Sequence, residues 1–185
     1  MDNYRMIDNL RQAGIAVESG MTEAELDRAE TVFGFRFPGE IRKFLGCGVP
    51  VGAKFFDYRD VSEENRKRMD KFNQSMESSF RFDLKHNRGD MQAMLKEFDE
   101  GDSFDESVIS FWKNSVRLIP FYGHRCFFDG LDGMPVISFW QPSDVIFYGG
   151  TFENYLEVEF LGKKRVLENI PERMEETGIW KKLIW

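Results

Sequence analysis

The chain predicts an α+β domain, with a central antiparallel sheet of about four to six strands flanked by helices. Three observations carry this. The first half is marked by helix signals, the clearest a capping box at Thr22. The second half breaks into short segments rich in β-branched and aromatic residues, separated by Pro, Gly and Asp. The last residues return to helical spacing. Helices first, strands next and helices last is an α+β order, not a βαβ repeat. The 185 residues suit one domain, at roughly 150 residues per domain. No internal repeat, Pro/Ser-rich linker or low-complexity segment divides them.

In chain order, Met6, Ile7 and Leu10 give residues 2–13 helical spacing. Thr22 and Glu25 form the S/T-x-x-E capping box, and Met21 and Leu26 occupy the two hydrophobic-staple positions. Leu26, Ala29 and Phe33 continue that helix, and Gly34 closes it in a left-handed turn. Pro38 suits the first turn of a further helix, whose apolar face is Ile41, Phe44 and Leu45 and whose end is Gly46. Three glycines and Pro50 make 46–52 a loop. Residues 62–76 are polar and helical, with Ser62 as cap. Phe80 and Phe82 alternate with Arg81 and Asp83, which predicts a short strand. Met91, Met94, Leu95 and Phe98 predict a helix over 90–98.

Strands are expected at 116–119, 125–128, 136–140 and 144–148. The breaks between them are Pro120 with Gly123, the DGLDG run at 129–133, and QPS at 141–143. Asp-Gly pairs supply the positive φ of a hairpin turn. After Gly149 and Gly150, Thr151 caps a helix lined by Phe152, Tyr155, Leu156 and Phe160. A last helix runs from about Pro171 to Trp185.

Composition narrows the function classes. There are 25 Lys and Arg against 32 Asp and Glu, a net charge of −7, which argues against a general nucleic-acid binder or a basic membrane-surface protein. Cys47 and Cys126 lie in no CxxC, so a zinc ribbon or a redox pair lacks its ligands, and free buried thiols are expected. The N-terminus has no apolar stretch of signal-peptide length and no run reaches 18 apolar residues. The expected location is the cytoplasm, with no membrane partner. The 19 Phe, 5 Tyr and 4 Trp exceed what one core needs. Phe33, Phe44, Phe152, Tyr155 and Phe160 have core spacing. Phe55, Phe56, Tyr58, Phe104, Phe127 and Trp185 have none, and some of them are expected as exposed rings at an interface.

Five segments, in order over residues 20–160, meet a known pattern. MTEAELDRAETVFGFRFPGEIRKFL resembles the opening of the SMI1/KNR4 family, also called the SUKH superfamily: a helix, a Leu/Phe-Pro pair (here Phe37-Pro38), then a helix ending in Phe-Leu (here Phe44-Leu45). VPVGAKFFDYR is similar to a Leu-Pro-Val-Gly…Phe-x-x-Trp-Arg segment of one branch, with Tyr58 at the Trp. FRFDLKHN resembles that branch's Phe-Asp-Ile-Glu-His, with Lys85 at the acid. LIPFYGHR is similar to Leu-Ile-Pro-Tyr-Gly-His-Arg. MPVISFWQPSDVIFYGGTFENYLEVEF resembles Asn-Pro-Val-x-Ser…Asp-Ile-Ile-Tyr-Tyr-Gly…Tyr-Leu…Glu-Phe. The chain departs from the pattern over 86–115, which is acidic here, and at Cys-Phe-Phe-Asp after His124-Arg125, where the family carries Pro. The resemblance implies a single SMI1/KNR4-like domain over 1–185, with an antiparallel sheet flanked by helices. It brings no catalytic set to transfer. Many bacterial members are similar to immunity proteins that bind and silence polymorphic toxins, often nucleases; fungal members regulate cell-wall synthesis.

Chemistry-bearing residues are few. His86 and His124 are the two histidines. His124, Cys126, Asp129 and Asp132 could be drawn as a zinc site, and His124 with Cys126 as a nucleophile pair. Packing is the better reading, because on a strand His124, Cys126 and Phe128 share a face and no oxyanion hole or orienting acid adjoins them. GCGVPVG lacks GK[ST] and is no P-loop. DGLDG lacks the bidentate Glu of a calcium loop. Tyr148-Gly149-Gly150-Thr151 ends at a helix N-terminus, where capping competes with anion binding. Arg125 and Asp144 are expected to pair. No catalytic residue, metal or cofactor is assigned.

The strongest functional signal is EFDEGDSFDE at 97–106, six carboxylates and no base. Such a run is either a solvated loop or an electrostatic surface for a basic partner. Nuclease toxins bind phosphate backbones and carry positive clefts, which an acidic binder can occupy. The expected partner-binding residues are Asp99, Glu100, Asp102, Phe104, Asp105 and Glu106. The expected function is a non-catalytic protein-binding domain of the immunity type that neutralises a polymorphic toxin through this acidic, aromatic surface. The alternatives are a regulatory scaffold for an endogenous protein and a small hydrolase using His124 and Cys126.

Overall fold

A computed structural model describes residues 2–98, 103–167 and 172–184. The architecture is α+β. A four-stranded antiparallel meander is formed by β3 (Leu118–Tyr122), β4 (Arg125–Phe128), β5 (Val136–Gln141) and β6 (Asp144–Gly149), in the order β3-β4-β5-β6. Before it come α1 (Asn3–Gln12), β1 (Val17–Ser19), α2 (Glu23–Phe33), α3 (Gly39–Cys47), β2 (Gly48–Pro50), α4 (Glu63–His86), α5 (Arg88–Met94) and α6 (Phe104–Lys113). After it come α7 (Phe152–Leu161), a 3-10 turn (Glu172–Thr177) and α8 (Ile179–Leu183).

Both faces of the meander are buried, so the protein has two cores. On one face Ile119, Phe121, Phe127 and Val136 pack against residues of α1, α2, α3 and α7. On the other, Leu118, Cys126, Phe128, Ile137 and Phe139 pack against α4, α6 and α8. Successive strand residues point to opposite faces, and here both sets are apolar. This disposes of the aromatic excess. Phe55, Phe56, Tyr58, Phe104 and Phe127, expected in part as exposed rings, are all buried, and Trp185 lies outside the described residues. Tyr58 is in edge contact with Phe37 at 5.0 Å and donates its hydroxyl hydrogen bond to the Pro120 carbonyl. Among the described residues, the exposed rings are Tyr4, Phe82 and Trp140.

The helix signals act as expected at α2. The Thr22 hydroxyl accepts from the Glu25 amide at 3.2 Å, the Glu25 carboxylate accepts from the Thr22 amide at 2.7 Å, and Gly34 closes the helix at φ 67°. Ser62 and Thr151 cap α4 and α7 through the Asn65 and Asn154 amides.

Four expectations are corrected. Phe80–Asp83 is not a strand but the last part of the 24-residue α4. A window of four residues mimics period two, whereas Met69, Met76, Phe80 and Leu84, spaced by seven, four and four, are helical. Accordingly Phe80 is buried and Phe82 faces out, against His86 one turn on at 4.6 Å. The loop at 46–52 contains β2, which pairs antiparallel with β1, and α3 runs one residue past Gly46. Pro120 lies inside β3 at a bulge rather than in a turn; β3 is an edge strand of the sheet, where a missing N–H is tolerated. Arg125 pairs with Glu159, not Asp144. Register explains this: Arg125 lies opposite Ser138, while Asp144 lies opposite Gln141 at the hairpin tip.

The DGLDG turn has Gly130 and Gly133 at φ 67° as a hairpin requires, and it also straps the α2–α3 connection. Asp129 accepts from the Arg36 amide at 2.8 Å, Asp132 accepts from the Gly39 amide, and the Gly130 amide donates to the Arg36 carbonyl at 2.8 Å. Gly149 is demanded by close approach. A Cβ there would sit 2.5 Å from the Tyr155 nitrogen on α7. Gly149→Ala is therefore expected to lower stability by about 1–3 kcal/mol through overpacking, read as a lowered denaturant midpoint; an unchanged midpoint would show that α7 can move away from β6.

Candidate partner-binding surface

The acidic run is divided by the fold. Asp99, Glu100 and Asp102 lie outside the described residues. Phe104 opens α6 and is completely buried, so it is a core residue and not a contact ring. Its spacing with Val108 places both on the inner face of α6, a helix that the acidic composition concealed. Asp105 and Glu106 stand in the first turn of α6, where their charge complements the helix dipole. Asp105 is salt-bridged to Arg88, whose guanidinium lies 5.2 Å from the Phe104 ring centre. Glu106 is exposed. Glu97 is paired with Lys182 at 2.5 Å, and Phe98 packs on Phe111 at 5.3 Å.

A second acidic surface escaped the sequence reading. On α2, Glu23, Asp27 and Glu30 converge on Arg42 at 2.6, 2.6 and 3.2 Å. Beside them Glu18 and Glu25 share Arg59 at 3.0 and 3.3 Å. These contacts set five carboxylates against two guanidiniums, and Glu23, Asp27 and Glu18 are mostly exposed. The acids are scattered over 18–30 and alternate with apolar residues, so they form no run. Only the helix brings Glu23, Asp27 and Glu30 to one side, at helical spacing that a sequence reader could have used.

The nucleophile pair does not assemble. Cys126 is fully buried, and burial pushes its thiol far above the ordinary range, against a smaller opposing effect of Arg125. A thiol so held is not a nucleophile. His124 lies in the turn between β3 and β4, exposed, its ring at 5.6 Å from Trp140. Both cysteines are free. Among the described residues no group of three His, Cys, Asp or Glu side chains is placed to hold a metal ion. The Gly150 amide is bonded to the Val166 carbonyl and the Thr151 hydroxyl to the Asn154 amide. The start of α7 is thus satisfied from within.

Arg125 is largely enclosed beside the sheet, with 13% of its side chain exposed. It donates to Glu159 at 3.0 Å and to the Ser138 hydroxyl at 2.9 Å, and lies 3.6 Å from the Tyr148 ring centre. Such a pair positions β4 and β5 under α7, the structural role expected of Arg125 with a different partner. Trp140, at the end of β5, is 66% exposed and was not singled out from sequence. Its place just before QPS, on a strand whose first four residues are buried, is the signal by which it could have been found.

A polar cavity of about 340 Å3 is lined by Asn3, Gly39, Glu40, Lys43 and Asp132. Burial and then the Asp132 charge raise the Glu40 carboxyl above its ordinary value of 4.5, against a hydrogen bond from the Gly133 amide. A carboxyl raised in the folded state contributes stability that is complete below its unfolded value and lost as pH rises through its folded value. Glu40→Gln is expected to raise the melting temperature at pH 7 and to flatten the decline above pH 4.5. Melting curves across that range check it; a parallel decline in both proteins would contradict the assignment.

Comparison of the chain with family models, with curated proteins and with solved structures finds no match. No helix among the described residues is long and apolar enough to cross a membrane.

Proposed function

We propose that this chain is a non-catalytic protein-binding domain of the immunity type, which neutralises a basic toxin domain, such as a nuclease, by covering its positive cleft. The observation that carries the reading is the surplus of exposed carboxylate: a net charge of −7, with Glu106 exposed at the start of α6 and five acids sharing two arginines around α2. The resemblance to SMI1/KNR4 proteins over residues 20–160 supports it. The burial of Cys126 weighs against the hydrolase alternative. Burial of Phe104 changes the proposed mode of binding. Recognition rests on charge at Asp99, Glu100, Asp102, Asp105 and Glu106, without an aromatic anchor at Phe104. Complementary fields of this kind speed association and make it steeply dependent on salt. We place the protein in the cytoplasm, where it would meet an incoming toxin.

The proposal expects a gene for a basic toxin domain beside this one, and the test is calorimetric titration into that domain. The expected result is a 1:1 complex with a dissociation constant of about 10 nM or tighter at low salt, weakening by at least about tenfold in 0.5 M salt. Absence of binding, or affinity indifferent to salt, would overturn the reading.

A further inference from the structure

A cavity of about 210 Å3 lies between α4, α6, β3 and α8. Its apolar walls are Met76, Leu118, Trp112 and Trp180, of which Met76, Leu118 and Trp180 are almost fully buried. Both indoles are braced from behind. Trp112 stacks on Phe80 at 5.0 Å, and Trp180 meets Phe80 and Phe139 edge-on at 6.0 and 5.7 Å. Walls held in this way relax only partly into the space beside them. Nearly all the polar side chains at the cavity are committed within the fold. The Trp180 N–H donates to the Val116 carbonyl at 2.5 Å. The Ser115 hydroxyl donates to the Phe111 carbonyl at 2.8 Å and accepts from the Ile179 amide at 2.9 Å. Lys113 is paired with Glu77 at 3.3 Å. Arg117 is paired with Asp129 at 3.5 Å and donates to the Gly34 carbonyl at 2.6 Å. A charged ligand would therefore give up its hydration here and meet no free counter-charge. The exception is Asn73, a partly exposed residue of α4 at the cavity, whose side-chain amide bonds to none of the described residues.

We propose that this cavity binds a small neutral aromatic molecule of indole size, with its rings among Met76, Leu118, Trp112 and Trp180 and one N–H donating to the Asn73 side-chain oxygen. Size sets the upper bound: an apolar cavity of about 150 Å3 stays dry and takes up benzene, and the larger space here has room for a second fused ring. It is smaller than the roughly 300–1,000 Å3 of drug-sized sites. Aromatic walls favour a flat ring over an aliphatic chain, because ring pairs gain from edge and offset contacts beyond the area they bury. A few placed polar groups in an apolar lining fix the orientation of such a ligand, and one uncommitted amide suits one N–H. The proposal is independent of the toxin reading.

The test titrates the full chain with indole, with its isostere benzothiophene, which has no N–H, and with indole-3-carboxylate, which is charged, followed by 1H–15N spectra. Indole is expected to bind saturably below about 1 mM, to shift the side-chain N–H signals of Trp112 and Trp180, and to leave that of Trp140 in place. Indole-3-carboxylate is expected to bind at least about tenfold more weakly, because its charge is desolvated without a partner. Benzothiophene is expected to bind about fivefold more weakly than indole, the worth of one hydrogen bond. Asn73→Ala is expected to erase that difference by weakening indole about fivefold while leaving benzothiophene unchanged. Asn73→Trp is expected to fill the cavity and abolish binding of both. Asn73 is partly exposed on a helix, so both variants are expected to fold. The proposal is overturned by the absence of saturable binding, which would leave the cavity to a partner's side chain. It is equally overturned by indole-3-carboxylate binding as tightly as indole, by a preference for indole over benzothiophene that survives Asn73→Ala, or by unchanged indole affinity in Asn73→Trp.

Discussion

Phe80→Ala is expected to lower the unfolding free energy by about 3–5 kcal/mol. Phe80 is fully buried at the centre of the second core. Its ring stacks on Trp112 at 5.0 Å, meets Trp180 edge-on at 6.0 Å, and lies 6.4 Å from Phe139. One side chain therefore joins α4, α6, α8 and the sheet. Truncation removes the transfer free energy of the ring and leaves a cavity that three rigid aromatic neighbours cannot easily fill. Against a typical total of about 5–15 kcal/mol, this is a large share. Phe82→Ala is the matched control. Two residues along the same helix, Phe82 is 51% exposed, and its loss is expected to cost no more than about 0.5 kcal/mol. Urea unfolding of the pair checks this. Equal losses would fit a strand with both rings on one buried face, and would contradict the helix.

Reversal of Asp99, Glu100, Asp102, Asp105 and Glu106 to Lys is expected to slow association with a basic toxin domain by about 10–1,000-fold at low salt, with a much smaller change in dissociation. The effect is one of field rather than contact. Steering depends on the summed charge facing the partner, and five reversals change that sum by ten units. Removing charge at the surface leaves packing intact, since Phe104 and Val108 anchor α6 from its inner face. Asp105 is paired with Arg88, so its single reversal also exposes Arg88 and is expected to act more strongly than that of Glu106. Reversal of Glu23 and Asp27 on α2 separates the two acidic surfaces. Stopped-flow association of each variant over a salt series checks the assignment. If the α2 variant alone slows, the interface is at α2 and not at α6.

Much of the fold was legible because its signals are local. The capping box at Thr22, the left-handed Gly34 and the Ser62 and Thr151 caps each need three or four residues, and all act as read. The meander was legible from turn chemistry at 129–133 and 141–143. What was hidden depends on distance. Phe127, with no helical spacing, could be placed only once both faces of the sheet were known to be covered. The strand at Phe80–Asp83 was misread because four residues do not distinguish period two from a helix. Helix α6 was masked by acids that hid the inward spacing of Phe104 and Val108. Glu159 as the partner of Arg125 lies 34 residues away, beyond any local pattern. The candidate surface was legible as charge but not as geometry, because pairing with Arg88, Arg42 and Arg59 is set by tertiary contacts.

We propose that this protein silences a basic toxin domain by occupying its positive cleft, and a nuclease toxin gives the clearest readout. The most direct measurement is a titration of the chain against the nuclease activity of the basic toxin domain that the proposal expects beside this gene. The expected result is a linear fall in activity to an endpoint at one equivalent, with the endpoint lost in the five-residue reversal variant. Undiminished nuclease activity at about tenfold excess of folded chain, over a site that tight binding would saturate, would contradict it.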